Sequence, residues 1–207
     1  MKSIVQAILV MFFFISCKTE KKVLPFYNTS DFTPHFLSDV PEDYHHIRSF
    51  NLMAHTGKKV TEKDMDGKIT VSDFFFTSCP GICPRMTKNM RVLQDSFLNN
   101  DKIFLLSHSV TPEKDSVWVL NNFAKEHQVN NKRWLLLTGS KDEIYNLGRK
   151  YYFVEENLGE KRDTSEFLHT ENFILVDTKR RIRGIYNGLS LPSIQNLIRD
   201  IKELEKE

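Results

Sequence analysis

The chain has 207 residues, enough for one domain of roughly 100–200 residues with extra segments. Hydrophobic residues make up 40% of it, too many for a disordered chain, and a mean hydropathy of −0.39 is too polar for a multi-span membrane protein. The 29 Lys and Arg against 27 Asp and Glu leave a formal charge of +2, so no concentrated basic field argues for nucleic-acid binding.

After Lys2 an apolar run from Ile4 to Ser16 is broken only by Gln6 and ends at Cys17, one of three cysteines. It is shorter than the roughly 20 residues a membrane span needs and reads as a secretory signal over residues 1–16. Phe14-Ile15-Ser16-Cys17 resembles a bacterial lipobox, in which cleavage before the cysteine leaves its thiol to carry lipid. The expectation is an exported protein, lipid-anchored to a bacterial membrane through Cys17, with its body in the periplasm or otherwise outside the cytoplasm. Residues 17–40, polar and marked by Pro25 and Pro34, read as a flexible tether, and residues 41–207 as the domain.

In that domain, alternating apolar residues from Tyr44 to Thr61 around His55-Thr56-Gly57-Lys58 predict an N-terminal β-hairpin. Lys68–Phe76 predicts a buried strand, and Met86, Met90, Leu93 and Phe97 then share the inner face of a helix. Ile103–Ser107 predicts a second strand, Asp115-Ser116 a cap for a helix carrying Val117, Leu120, Phe123 and Ala124, and Trp134–Thr138 a third strand. Ser140-x-x-Glu143 has the form of a capping box before a helix with Ile144, Leu147 and Tyr151 inward. Phe167–Asp177 and Arg181–Tyr186 predict a hairpin across Thr178-Lys179-Arg180, and Ser190 caps a last helix with Ile194, Leu197, Ile198, Ile201 and Leu204 on one face. Strand–helix alternation closed by a hairpin and a helix predicts an α/β thioredoxin-like fold, a mixed central sheet flanked by helices.

In such sheets ligands sit beyond the carboxyl ends of the parallel strands, which is where Cys79 and Cys83 fall. Pro80 disfavours helix at Cys79 and Pro84 suits a helix start, so Cys79 belongs to a loop and Cys83 to the helix cap. A helix N-terminus stabilises negative charge, easing ionisation of a thiol for metal ligation or disulfide exchange. Three residues separate the cysteines where redox thioredoxins have two, so the loop can hold sulfurs roughly 4 Å apart on a metal or about 2.05 Å apart in a disulfide. A static local disulfide is the plainer alternative, although closing so short a loop adds little stability.

Soft thiolates select copper(I), and a nitrogen ligand extends the site to copper(II). His169, at the start of the strand expected beside the cysteine loop, is the candidate, and it stands where thioredoxin-type enzymes carry a cis-proline. His108, ending the second strand, competes with it; His45, His46 and His55 are expected to be solvated, and His127 to meet a helix C-terminus.

The chain resembles the Sco/SenC family of copper-binding proteins, which assist assembly of cytochrome c oxidase. The resemblance spans about residues 45–205 and rests on Phe75–Pro84 with its CxxxC pair, Ser109–Asp115, Trp134–Gly139, and His169 with Phe173–Asp177. It implies copper ligation by Cys79, Cys83 and His169. It further implies a metallochaperone that passes copper by ligand exchange to the binuclear copper (CuA) site of an oxidase subunit, or serves another copper or thiol protein. The alternative is a thiol-disulfide reductase in which Cys79 and Cys83 form a redox-active disulfide and keep a partner's cysteines reduced. Peroxide reduction fits the paired thiols less well, and zinc lacks an obvious base for hydrolysis. Thr111 stands where the family commonly has Asp, and Glu155–Glu166 is expected to be a charged loop closing over the metal.

Overall fold

Strands covered on both faces are rich in apolar residues on both, and every residue of β3 (Ile69–Phe75) and β4 (Ile103–Ser109) is buried, the few polar ones included. The computed structural model describes residues 22–155, 168 and 170–207. In it β3 and β4 run parallel with Val71 opposite Leu105, and β5 (Trp134–Thr138) continues the parallel set beyond β4. The expected hairpin, β1 (Asn51–Ala54) and β2 (Lys59–Thr61), lies antiparallel to β5, and Gly57 adopts the positive φ of 80° that its turn requires. On the other side of β3, β6 (Asn172–Val176) and β7 (Ile182–Asn187) form the second hairpin. The seven-stranded order is β2-β1-β5-β4-β3-β6-β7, with helices on both faces, the thioredoxin-like arrangement the sequence predicts.

Period-two alternation sends Ile69, Val71 and Phe75 into one core with Met86, Met90 and Leu93 of α1 (Cys83–Ser96), Leu120 of α2 (Val117–Glu126) and Leu197 of α4 (Leu191–Leu204). Phe74, Phe104 and Leu106 enter the opposite core with Ile47, Phe50 and Ile144 of α3 (Lys141–Asn146). Three local expectations shift. A widened helical turn, Leu147–Tyr151, adds a residue to the period, so Tyr152 is fully buried and Tyr151 only half-buried. Ser140 caps α3 as expected, but the Glu143 carboxylate accepts from the Asn51 backbone at 2.7 Å instead of returning to the cap. Ser116 alone caps α2; Asp115 turns inward.

The expected tether has no ladder strand or helix between residues 22 and 40, yet its first residues are fastened to the domain. Leu24 and Phe26 are buried, and Tyr27 bridges Ile182. Arg183, 2% exposed, donates to the Leu24 and Pro25 carbonyls and pairs with Glu207, while Lys22 meets Asp200 at 2.6 Å. Packing therefore begins well before the boundary expected at residue 40. The signal segment and Cys17 lie outside the described residues, and among the described ones no helix is long and apolar enough to cross a membrane.

Candidate metal and redox site

β3 ends at Phe75 and α1 begins at Cys83, so the intervening loop opens at the carboxyl edge of the parallel strands. Cys79 is half-buried on that loop; Cys83, in the first turn of α1 beside Pro84, is 5% exposed, and both thiols are free. Partial burial opposes ionisation of Cys79, but hydrogen bonds from the Cys83 side chain and from the backbone N–H groups of Cys83, Gly81 and Ile82 outweigh it and lower its pKa. Burial, the hydrogen bond to Cys79 and the charge that Cys79 would carry push the Cys83 thiol up to about 12. The pair is thus asymmetric, with a half-buried sulfur whose ionisation is eased and a covered one that donates to it.

Two buried carboxylates lie beneath this loop; the sequence reading passes over Asp73 and gives Asp115 only the part of a helix cap. Asp73, on the same face of β3 as Val71 and Phe75, accepts from Ser107 Oγ, which in turn accepts from Trp134 Nε1 at 2.8 Å. Burial pushes the Asp73 carboxyl up to about 7, although the Ser107 bond acts the other way. Its charge is also one of the influences raising Cys83. The signal was available as an acid inside an otherwise uncharged strand, a residue type seldom fully buried without a partner. Asp115, 1% exposed, accepts from Thr77, Ser109 and Thr111. Thr111 thus serves as a hydroxyl donor to that carboxylate at 3.2 Å.

The competing histidines separate by sheet face. Ser107 points toward Asp73 and α1, so its neighbour His108 projects to the opposite side, where it is fully buried and stacked on Phe74 with ring centroids 4.7 Å apart. Burial drives its pKa down to about 4, and it shares no site with Cys83. His55 is buried rather than solvated: its Nδ1 accepts from Leu136 N–H, so Nε2 carries the proton and donates to Asn131. His45 is held against the Tyr151 carbonyl and stacked on Phe153. His127 sits at the end of α2 as expected, its ring tilted against Phe123. His169 and residues 156–166 of the expected closing loop lie outside the described residues. Among the described residues no three His, Cys, Asp or Glu side chains form a metal-binding group.

A thioredoxin-like sheet with a free CxxxC pair where its first parallel strand feeds a helix defines a thiol- or metal-handling domain. The sequence pattern of the SCO1/SenC family matches residues 38–206, and the chain belongs to that family. Its fold is similar to that of a SCO1/SenC family lipoprotein from Bacillus anthracis, at 30% identity and a TM-score of 0.65 over 78% of this chain and 95% of that one. It is similar also to BsSco, described as a member of the Sco family of cytochrome c oxidase assembly proteins with a disulfide switch. That match has 28% identity and a TM-score of 0.66 over 82% and 99% of the two chains. Arabidopsis thaliana ScoI, solved with copper bound, matches at 27% identity and a TM-score of 0.59 over 77% and 98%. Curated mitochondrial relatives are longer: the chain spans 37% of the Arabidopsis SCO1 homologue 1 and 42% of the human SCO1 homologue.

Proposed function

We propose that this protein is a membrane-anchored copper chaperone that holds copper through Cys79, Cys83 and His169 and delivers it to the CuA site of cytochrome c oxidase. The observation that carries the reading is the asymmetric pair of free thiols at the α1 N-terminus, a soft donor set suited to copper(I). The assignment of His169 draws on chain direction. Ile174 of β6 lies opposite Ser72 of β3, so the chain preceding β6 leads toward the Phe76 end of β3, where the cysteine loop begins. Leu168 and Thr170 are both buried, and Thr170 is fastened to the Val154 carbonyl at 2.6 Å. Copper bound to the Arabidopsis relative supports the same choice of ion, and the Bacillus anthracis lipoprotein supports anchoring through Cys17. Transfer needs only stepwise exchange of thiolate and imidazole ligands, with no covalent change in a substrate.

The unequal thiols also favour a second role, because a half-buried sulfur whose pKa is lowered, beside a covered partner, is the arrangement of a disulfide-exchange pair. In that role Cys79 attacks a disulfide of an exported protein, and Cys83 resolves the mixed disulfide. The product is oxidised Cys79–Cys83 and a reduced partner. Anaerobic titration with copper(I) and copper(II), with His169→Ala in parallel, tests the chaperone reading. Loss of copper(II) binding in the variant supports the three-ligand site. A variant that binds copper(II) as the parent does removes His169 from it, and a parent that binds neither ion leaves only the reductase role.

A further inference from the structure

Four donors converge on the carboxylate of Asp115. Thr77 supplies two of them, its backbone N–H to Oδ2 at 3.2 Å and its hydroxyl to Oδ1 at 2.5 Å. Ser109 Oγ reaches Oδ2 at 2.6 Å and Thr111 Oγ1 reaches it at 3.2 Å. Ser109 keeps its proton for this bond because its oxygen accepts from the Thr111 backbone at 3.2 Å, which orients the hydroxyl. Asp115 is itself fixed, with its N–H on the Thr111 carbonyl at 2.9 Å. A buried carboxylate held at both oxygens is a rigid joint, and Oδ1 has the Thr77 hydroxyl as its donor, so losing that hydroxyl leaves a buried acceptor unpaired.

The joint ties three pieces of chain. Thr77 lies two residues before Cys79, Ser109 is the last residue of β4, and Asp115 stands just ahead of α2. We propose that Asp115 is the positioning residue of the cysteine loop. By gripping Thr77 at both backbone and side chain it sets the angle at which the chain leaves β3, and so where Cys79 sits relative to Cys83. Cys83 is placed by α1, whose Met86 N–H closes on the Ile82 carbonyl at 3.0 Å. The Cys79 sulfur also accepts from N–H groups at that helix start, and the Thr77–Asp115 clamp is the part that fixes its loop from the β3 side. This inference rests on Cys79 and Cys83 acting as a pair; it adds the residue that makes them one.

The test uses Thr77→Val, which keeps the branched shape and deletes the hydroxyl donor, and Thr77→Ser, which retains the donor. In the reduced, metal-free protein, amide hydrogen exchange at Gly81 and Ile82 should rise about tenfold in the Val variant, with β3 and α4 unchanged, and return in the Ser variant. Copper(II) affinity and the thiolate-to-copper absorption band should weaken in parallel, by about tenfold in affinity, and be restored by Ser. A Val variant with parental loop exchange overturns the proposal, as does a Ser variant as impaired as Val. A Val variant that only melts at lower temperature, with parental exchange and affinity when folded, assigns the clamp to stability and overturns the positioning role. If the parent binds no copper(II), the chaperone reading fails and the metal-free exchange data still decide the clamp.

Discussion

Replacing Asp73 by Asn tests the physics beneath the cysteine loop. The Asp73 carboxyl has an ordinary value of 3.8 and is pushed up to about 7 by burial, so the folded state holds its proton more tightly than the unfolded chain. The contribution to stability is therefore fully present below about pH 4 and is lost as pH rises toward about 7. At 1.36 kcal/mol per unit, the rise of about three units amounts to roughly 4 kcal/mol of stability forfeited by neutral pH. Asn has nearly the same shape and keeps the oxygen that accepts from Ser107, so Asp73→Asn removes the titration while preserving the Trp134–Ser107 chain. Urea denaturation of the reduced protein at intervals from pH 4 to pH 8 measures the difference. The variant should match the parent near pH 4 and exceed it by a few kcal/mol at pH 8. A constant difference across that range would refute the reasoning, because Asp73 would then ionise equally in both states.

The N-terminal fastening and the thiol asymmetry can be tested in the same way. Arg183→Met keeps the length of the side chain but abandons Glu207 and the Leu24 and Pro25 carbonyls, which should cost about 2–3 kcal/mol in chemical denaturation. It should also open residues 22–33 to protease, and unchanged stability and cleavage would show that the strap is held by Leu24 and Phe26 alone. At pH 7 iodoacetamide should modify Cys79 at least about tenfold faster than Cys83, because ionisation of Cys79 is eased and that of Cys83 is suppressed. Equal rates by peptide mass spectrometry would contradict the assigned asymmetry.

Much of the architecture could be read from periodicity, because the residues that fix it are apolar and repeat at the strand or helix period. Met86, Met90 and Leu93 on α1, and Ile194, Leu197 and Ile201 on α4, all face the core as their spacing predicts. The exceptions arise where a local pattern has two possible uses. Glu143 could close a capping box or reach across to β1, and only the folded arrangement brings Asn51 within range. One extra residue in the turn at Leu147–Tyr151 transfers the inward position from Tyr151 to Tyr152, a change no hydrophobic pattern records.

The cysteines were legible because their spacing and the flanking prolines are local. Asp73 announced itself only as an acid among Phe residues, and its role depends on Ser107 arriving from β4. An Asp just before a helix reads as a cap, its common use, whereas the partners of Asp115 lie as far away as Thr77. The face of β4 on which a histidine falls depends on register, and that separates His108 from the cysteines. Long-range polar networks of this kind have no period in the sequence.

The most direct measurement of the central claim is electron paramagnetic resonance of the protein loaded with one equivalent of copper(II), compared with its His169→Ala variant. The account predicts a parent signal combining strong thiolate covalency with hyperfine coupling to one imidazole nitrogen. The nitrogen coupling should vanish in the variant, together with most of the copper(II) affinity. A variant that retains both the nitrogen coupling and the affinity would contradict the ligation of copper by Cys79, Cys83 and His169.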